Sequence, residues 1–282
     1  MPIELPPGTA SYSDRNPPPQ NRQILVILGG IAGLVVLIIW LLNLFVSGLI
    51  GLIPPSVERQ LGSFIVPAFE QLSQPSPTQD TLNQLLDRLE AKLPDEQRQD
   101  HHYQVLYIPE PTINAIAIPG DRIIIFSGLL ANVKSENELM MVLGHELGHF
   151  AHRDHLQRLG RGIVLRFTLA SLLGDPSAIQ SIAVSGITAV STARFSQQQE
   201  FQADDFGLQL LQSTYGHVTG ATDFFARLSQ QERGQVDFLA THPNSRKRVK
   251  RLEAEIKEQA YASGTRSPLP PTLVEQTATP SA

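Results

Sequence analysis

Residues 145–149 read His-Glu-Leu-Gly-His, and that spacing has meaning only if the segment folds as a helix. Positions i and i+4 of a helix lie one above the other, so a helix presents the imidazoles of His145 and His149 to a single point. Two imidazoles so placed bind zinc, and Glu146 stands beside them to take a proton from a metal-bound water. In an extended segment the same residues would diverge. The sequence must therefore supply a helix here and a third ligand elsewhere.

The helix has its own start signal. Ser135-Glu136-Asn137-Glu138 fits a capping box, with Ser135 as N-cap and Glu138 at N3. Leu139, Val142, Leu143, Leu147 and Phe150 follow at helical spacing. The chain has no cysteine, which removes disulfides, thiolate ligands and thiol nucleophiles, so any metal ligands are histidines and carboxylates. A net charge of −5 leaves no basic footprint for nucleic acid, and no such partner is expected.

Upstream, the 31 residues from Gln23 to Ile53 carry no charge. About 20 apolar residues in a helix cross the roughly 30 Å hydrocarbon layer, so this run predicts a transmembrane helix and membrane lipid as a partner. It is too long for a cleaved leader's apolar core. Arg15 and Arg22 precede it and only Arg59 follows closely, which favours a cytoplasmic N-terminus and a catalytic domain outside the cytoplasm. The expected organisation is a disordered tail over 1–22, the transmembrane helix over 23–53 and a helical juxtamembrane spacer over 54–100. A catalytic domain over 101–260 and a disordered Pro/Thr/Ser-rich tail over 261–282 complete it. Within the spacer, apolar residues at 82, 85, 86, 89 and 93 have helical spacing. From His102 the pattern becomes strand-like, and Pro119-Gly120-Asp121 predicts a hairpin between 113–118 and 122–126. Residues 163–190 form a second apolar region, broken at Gly174-Asp175-Pro176 into pieces too short to span, read as a buried or membrane-resting helical hairpin. The whole is an α+β chain, mainly helical with a small sheet.

Two residues compete as third ligand. His155 stands ten residues after His145, as in metzincins, but those use a glycine to break the helix where this chain has His152. With FAHRDHLQRL continuing as helix, His155 would lie ~15 Å along the axis from His145, far beyond a ~2 Å zinc bond. Glu200 is the other candidate. Glu200 and Asp204 share one helical face, so Glu200 can ligate while Asp204 accepts a hydrogen bond from the distal N–H of a ligating histidine. Gly207, further along that face, would let the two helices pack closely. Both acids could equally be solvated helix charges, as most are.

His-Glu-Leu-Gly-His, the Glu200-x-x-x-Asp204 pair, Asn114-Ala-Ile-Ala-Ile-Pro-Gly and His242-Pro243 followed by Arg248 occur in the order of one family. Over about residues 101–255 the chain resembles the HtpX and CAAX-prenyl-protease type-1 family of membrane-associated zinc endopeptidases, which includes periplasmic and mitochondrial quality-control proteases. The resemblance implies a zincin-like domain with one Zn2+ held by His145, His149 and Glu200, and Glu146 as catalytic base. It sets His242 and Arg248 near the active site as oxyanion partners, and the hairpin segment Asn114, Ala115 and Ile116 beside the cleft. There an extended polypeptide substrate could add as a strand. His242 could also occupy the fourth zinc position and restrain activity until substrate displaces it. HtpX-like members carry several membrane helices, whereas this chain has one clear span and a broken second region. Two alternatives stand beside this reading: a metzincin-type protease using His155, and a membrane-tethered chaperone or assembly factor that retains a zinc site. Nothing in the sequence specifies an oligomeric state.

Overall fold

The computed structural model describes residues 21–73, 75–99, 101–159, 194–230, 237–243 and 245–278, with four positions between 160 and 193. The expected second apolar hairpin over 163–190 lies outside the described residues but for those four. Two compact units emerge, Met1–Leu49 and Ile50–Ala282. The first is dominated by helix α1 (Asn21–Gly51), 31 residues long. Its described apolar side chains, among them Leu25, Val36 and Trp40, are exposed. Some side chains of α1 are not described, and among the described residues no helix is long and apolar enough to cross a membrane.

The second unit opens with α2 (Pro55–Glu70), α3 (Pro77–Glu90) and α4 (Asp95–Gln99). Three strands follow, β1 (Gln104–Ile108), β2 (Ala115–Ile118) and β3 (Arg122–Phe126). They form one sheet in the order β1-β3-β2, with β1 parallel and β2 antiparallel to β3. The hairpin turn places Gly120 at φ +89° and Asp121 at φ +59°. Gly120 also lies against α2, where a Cβ on Gly62 would come 2.4 Å from the Gly120 Cα. Only glycine fits both demands.

Helix α3 is more than a spacer. Leu82, Leu85, Leu86 and Leu89 are buried in the main core. On its polar side, Asn83 Oδ1 accepts from Val105 N at 2.8 Å and Gln79 Oε1 from Tyr107 N at 3.0 Å. These amides close the outer edge of β1, which would otherwise expose unpaired donors. Helix α3, placed in the spacer by the sequence, is thus packed into the same compact unit as the sheet.

Helices α5 (Ser127–Asn132) and α6 (Glu136–Ala151) follow. Every residue of α6 from Asn137 to Phe150 is buried. Ser135 caps it as expected, its Oγ accepting from Glu138 N. The reciprocal half of the box is replaced: the Glu138 carboxylate accepts from Lys134 N and pairs with Arg227. The helix does not continue through FAHRDHLQRL. It ends at Ala151, His152 Nδ1 lies 2.8 Å from Gly148 O, and Arg153 turns the chain at φ +57° into the short α7 (Asp154–Arg158). His155 is consequently 1% exposed, not a surface residue of a longer helix.

Helix α8 (Gln197–Tyr215) begins with a complete capping box between Ser196 and Gln199 and crosses α6. The crossing is lined by small residues: Gly144 faces Gly207, and Gly148 faces Ala203. After α9 (Asp223–Leu228), α10 (Asp237–Thr241) and α11 (Ser245–Glu258), the chain ends in α12 (Pro271–Ala278). The segment beyond 261, expected to be disordered, is docked as far as it is described. Gly264 N bonds to Thr219 Oγ1 and Ser267 N to Asn137 Oδ1, Arg266 pairs with Asp223, and Leu273 is 1% exposed. Its Pro-rich composition forbids a core of its own but not burial against a core already built.

A Cβ at position 207 would stand 2.9 Å from His145 N and 3.2 Å from Met141 O, both backbone atoms with little freedom to yield. Gly207→Ala is therefore expected to lower stability by about 1–3 kcal/mol through overpacking. A urea midpoint equal to wild type would show that the helices are not in tight contact.

Candidate metal centre

Three separate elements converge on one point. His145 and His149 stand one turn apart on α6, their rings edge to face at 4.7 Å between centroids. Glu200 comes from the first turn of α8, and His242 follows the end of α10. All four side chains are fully buried, and their ligand atoms lie within 4.8 Å of one another.

The separations are close to the edges of a tetrahedral metal site. His145 Nε2 is 3.2 Å from both His149 Nε2 and His242 Nδ1. Glu200 Oε1 is 3.1 Å from His242 Nδ1 and 3.7 Å from His149 Nε2, and Glu200 Oε2 is 3.9 Å from His145 Nε2. Four donors at ~2.0–2.2 Å from a tetrahedral centre stand about 3.3–3.6 Å apart. Three imidazoles and a carboxylate at those edges form a donor set that suits zinc.

The histidines are held in the state a metal needs. Burial pushes the His145 pKa well below its ordinary value, and the nearby Arg248 guanidinium pushes it further. Burial also lowers that of His149, partly opposed by its bond to Asp154. Neutral imidazoles leave a nitrogen lone pair for the metal. The outer nitrogens are engaged by carboxylates: His145 Nδ1 with Asp204 Oδ1 at 3.0 Å and His149 Nδ1 with Asp154 Oδ2 at 3.0 Å. Phe195 stacks on His149 at 3.7 Å between centroids and 9° between planes.

Arg248, expected to face a substrate oxyanion, is fully buried behind the carboxylates. It forks onto Asp204, Nε to Oδ2 at 2.9 Å and Nη2 to Oδ1 at 2.6 Å, while Nη1 lies 2.5 Å from Glu200 Oε2. Burial alone would lower its pKa, but Asp204 and then Glu200 more than offset this and keep it charged.

Glu146 borders the donor set. Its Oε2 accepts from the backbone N–H of Ala117 on β2 at 3.0 Å, and its Oε1 lies 3.7 Å from His242 Nε2. Asn114, Ala115 and Ile116, expected as an open edge, are buried. The reason is local: Asn114 Oδ1 takes Ala115 N, Phe238 N of α10 donates to Ile113 O, and Thr241 Oγ1 reaches Asn114 Oδ1. His155 is not brought to the centre; its Nε2 is 2.5 Å from Glu58 Oε1 on α2.

The profile of Peptidase family M48 matches residues 77–256, well over half of the chain. The chain belongs to this family. M48 peptidases are zinc metalloproteases, in keeping with the donor set. Among relatives, the mitochondrial metalloendopeptidase OMA1 of Arabidopsis thaliana is 31% identical over 168 residues, covering 56% of this chain and 33% of the relative. Metalloprotease LoiP of Escherichia coli is 30% identical over 147 residues, 50% of this chain and 57% of the relative. A putative beta-barrel assembly-enhancing protease of Vibrio cholerae is 27% identical over 192 residues, 63% and 40% of the two chains. The aligned stretches thus span from a third to somewhat over half of these relatives' lengths. The M48 match starts at Pro77, the first residue of α3.

Two neighbours of the site carry no sequence signal that spacing alone would reveal. Asp154 reaches His149 only because α6 stops before it, and Phe195 precedes the N-cap of α8. Arg248 yields a direct test. Arg248→Met leaves two buried carboxylates uncompensated, so the metal-free protein should lose about 3–5 kcal/mol. Chemical denaturation measures this, and a loss below ~1 kcal/mol would show that Asp204 and Glu200 do not depend on Arg248.

Proposed function

We propose that the chain is a membrane-anchored zinc endopeptidase, in which His145, His149 and Glu200 hold the metal and Glu146 is the catalytic base. The observation that carries this is a buried quartet of donors with tetrahedral edges, bordered by a glutamate on the same helix as two of them. Zinc bound there would lower the pKa of a bound water towards 7 and polarise the scissile carbonyl. Glu146 takes the water proton and delivers it to the leaving amine. The Ala117 N–H holds its carboxylate in place beside the site. Asp204 orients His145 through Nδ1, and Arg248 holds Asp204 and Glu200 together. That supports a positioning role for Arg248 in place of oxyanion binding.

His242 stands where a fourth ligand would, and α10 covers the start of β2. We read this as a restrained state. Withdrawing the segment 237–242 would free both the fourth position and the backbone of Asn114–Ile116, where an extended substrate could pair as an added strand. Backbone pairing gives little sequence selectivity, which suits removal of misfolded or unassembled envelope proteins. The Vibrio cholerae relative is named for a role in beta-barrel assembly, in keeping with that assignment. The anchor is the uncharged run of 31 residues from 23 to 53, longer than the roughly 20 apolar residues that cross a ~30 Å hydrocarbon layer as a helix. The protease domain then lies outside the cytoplasm.

Glu146→Gln is expected to abolish cleavage of unfolded casein while retaining one zinc per chain. If wild type and variant are equally inactive with zinc bound, a binding role replaces catalysis. His242→Ala should cleave peptides faster than wild type, and a rate at or below wild type would contradict restraint.

A further inference from the structure

The turn that ends the motif helix joins the metal centre to α2. Asp154 is 1% exposed and uses both oxygens: Oδ2 meets His149 Nδ1 at 3.0 Å, and Oδ1 accepts from Gln199 Nε2 at 2.8 Å. Gln199 is the capping-box residue of α8, its Oε1 accepting from Ser196 N, and it immediately precedes Glu200. One carboxylate therefore fixes the ring of His149 and the first turn of the helix that carries Glu200.

The two residues flanking Asp154 both grip one buried acid on α2. His155 Nε2 is 2.5 Å from Glu58 Oε1, and Arg153 Nη2 is 2.8 Å from Glu58 Oε2. Arg153 Nη1 also bonds the Ile53 carbonyl at 2.9 Å, just before α2 begins. Arg153 takes up a left-handed φ of +57°, unusual for a side chain of this size, and these contacts hold it there. Burial works to raise the Glu58 pKa, but His155 and then Arg153 outweigh it and hold it at about 2, so Glu58 is ionised near neutral pH.

Building on the zinc reading above, we propose that Asp154 is a positioning residue for His149 and that Glu58 holds Asp154 in place, making α2 a mechanical input to the metal site. The helix that follows the apolar segment is thereby wired to a ligand from which its backbone is otherwise separate. A shift of α2 that releases Glu58 loosens His149, and zinc affinity falls.

The test is the zinc affinity of the full-length protein, stripped of metal and titrated against a chromophoric chelator. Asp154→Ala should weaken zinc binding about 10–100-fold, the usual effect of removing a partner of a ligating histidine. Asp154→Asn preserves shape and one acceptor oxygen, so it should recover part of that loss. Glu58→Gln should weaken binding several-fold, and Glu58→Gln/Asp154→Ala should be no worse than Asp154→Ala alone, because both act on one path. Helix content of each metal-free variant by circular dichroism separates local loosening from unfolding. Wild-type zinc affinity in both Asp154 variants overturns the positioning role, and fully multiplicative losses in the double variant overturn the link to Glu58. Glu200→Ala measured alongside keeps the two readings apart: if it also binds zinc like wild type, the zinc assignment itself is wrong.

Discussion

The close crossing of α6 and α8 is the constraint on which the rest of the site depends. His145 and His149 ride on one helix and Glu200 on the other, so these candidate donors meet only if the two backbones approach to within van der Waals contact. Gly144, Gly148, Ala203 and Gly207 make that approach possible by presenting nothing larger than a methyl group at these four positions. Larger residues on this seam would separate the ligands by more than the ~2 Å bonds of zinc tolerate. Helix α6 is buried from Asn137 to Phe150, and its cap, its carboxylates and its histidines have polar partners there.

Around this crossing the charges are arranged so that each buried group meets an opposite or a donor. Arg248 lies between Asp204 and Glu200, and two carboxylates stand behind the two motif histidines. Breaking such a set leaves a buried charge exposed to a low-dielectric interior, whereas the intact set carries little net cost. The same logic explains why the Glu146 carboxylate is itself held by a backbone N–H of β2. The strand therefore borders the site.

Much of this was legible in the sequence because it rests on local rules. The spacing of His145 and His149, the Ser135 cap and the Pro119-Gly120-Asp121 turn each determine geometry within a few residues. Glu200 and Asp204 could be paired through helical periodicity, and the structure brings both to the motif helix. The misjudged features all depend on tertiary contact. Nothing in FAHRDHLQRL announces a break, because the left-handed Arg153 is held by Glu58, about a hundred residues away in sequence. Arg248 looked available to substrate because its two carboxylate partners are 44 and 48 residues upstream by number. The segment after 261 looked disordered because composition reports only what a segment can do alone, and its order comes from Thr219, Asp223 and Asn137.

The central claim is that one zinc ion sits between α6, α8 and the end of α10. X-ray absorption at the zinc edge of the purified full-length protein tests it most directly. The account predicts one zinc per chain bound by three imidazole nitrogens and one carboxylate oxygen at about 2.0–2.2 Å, with one imidazole lost in both His145→Ala and His242→Ala. A spectrum that loses an imidazole in His155→Ala, or that is unchanged in Glu200→Ala, would contradict it.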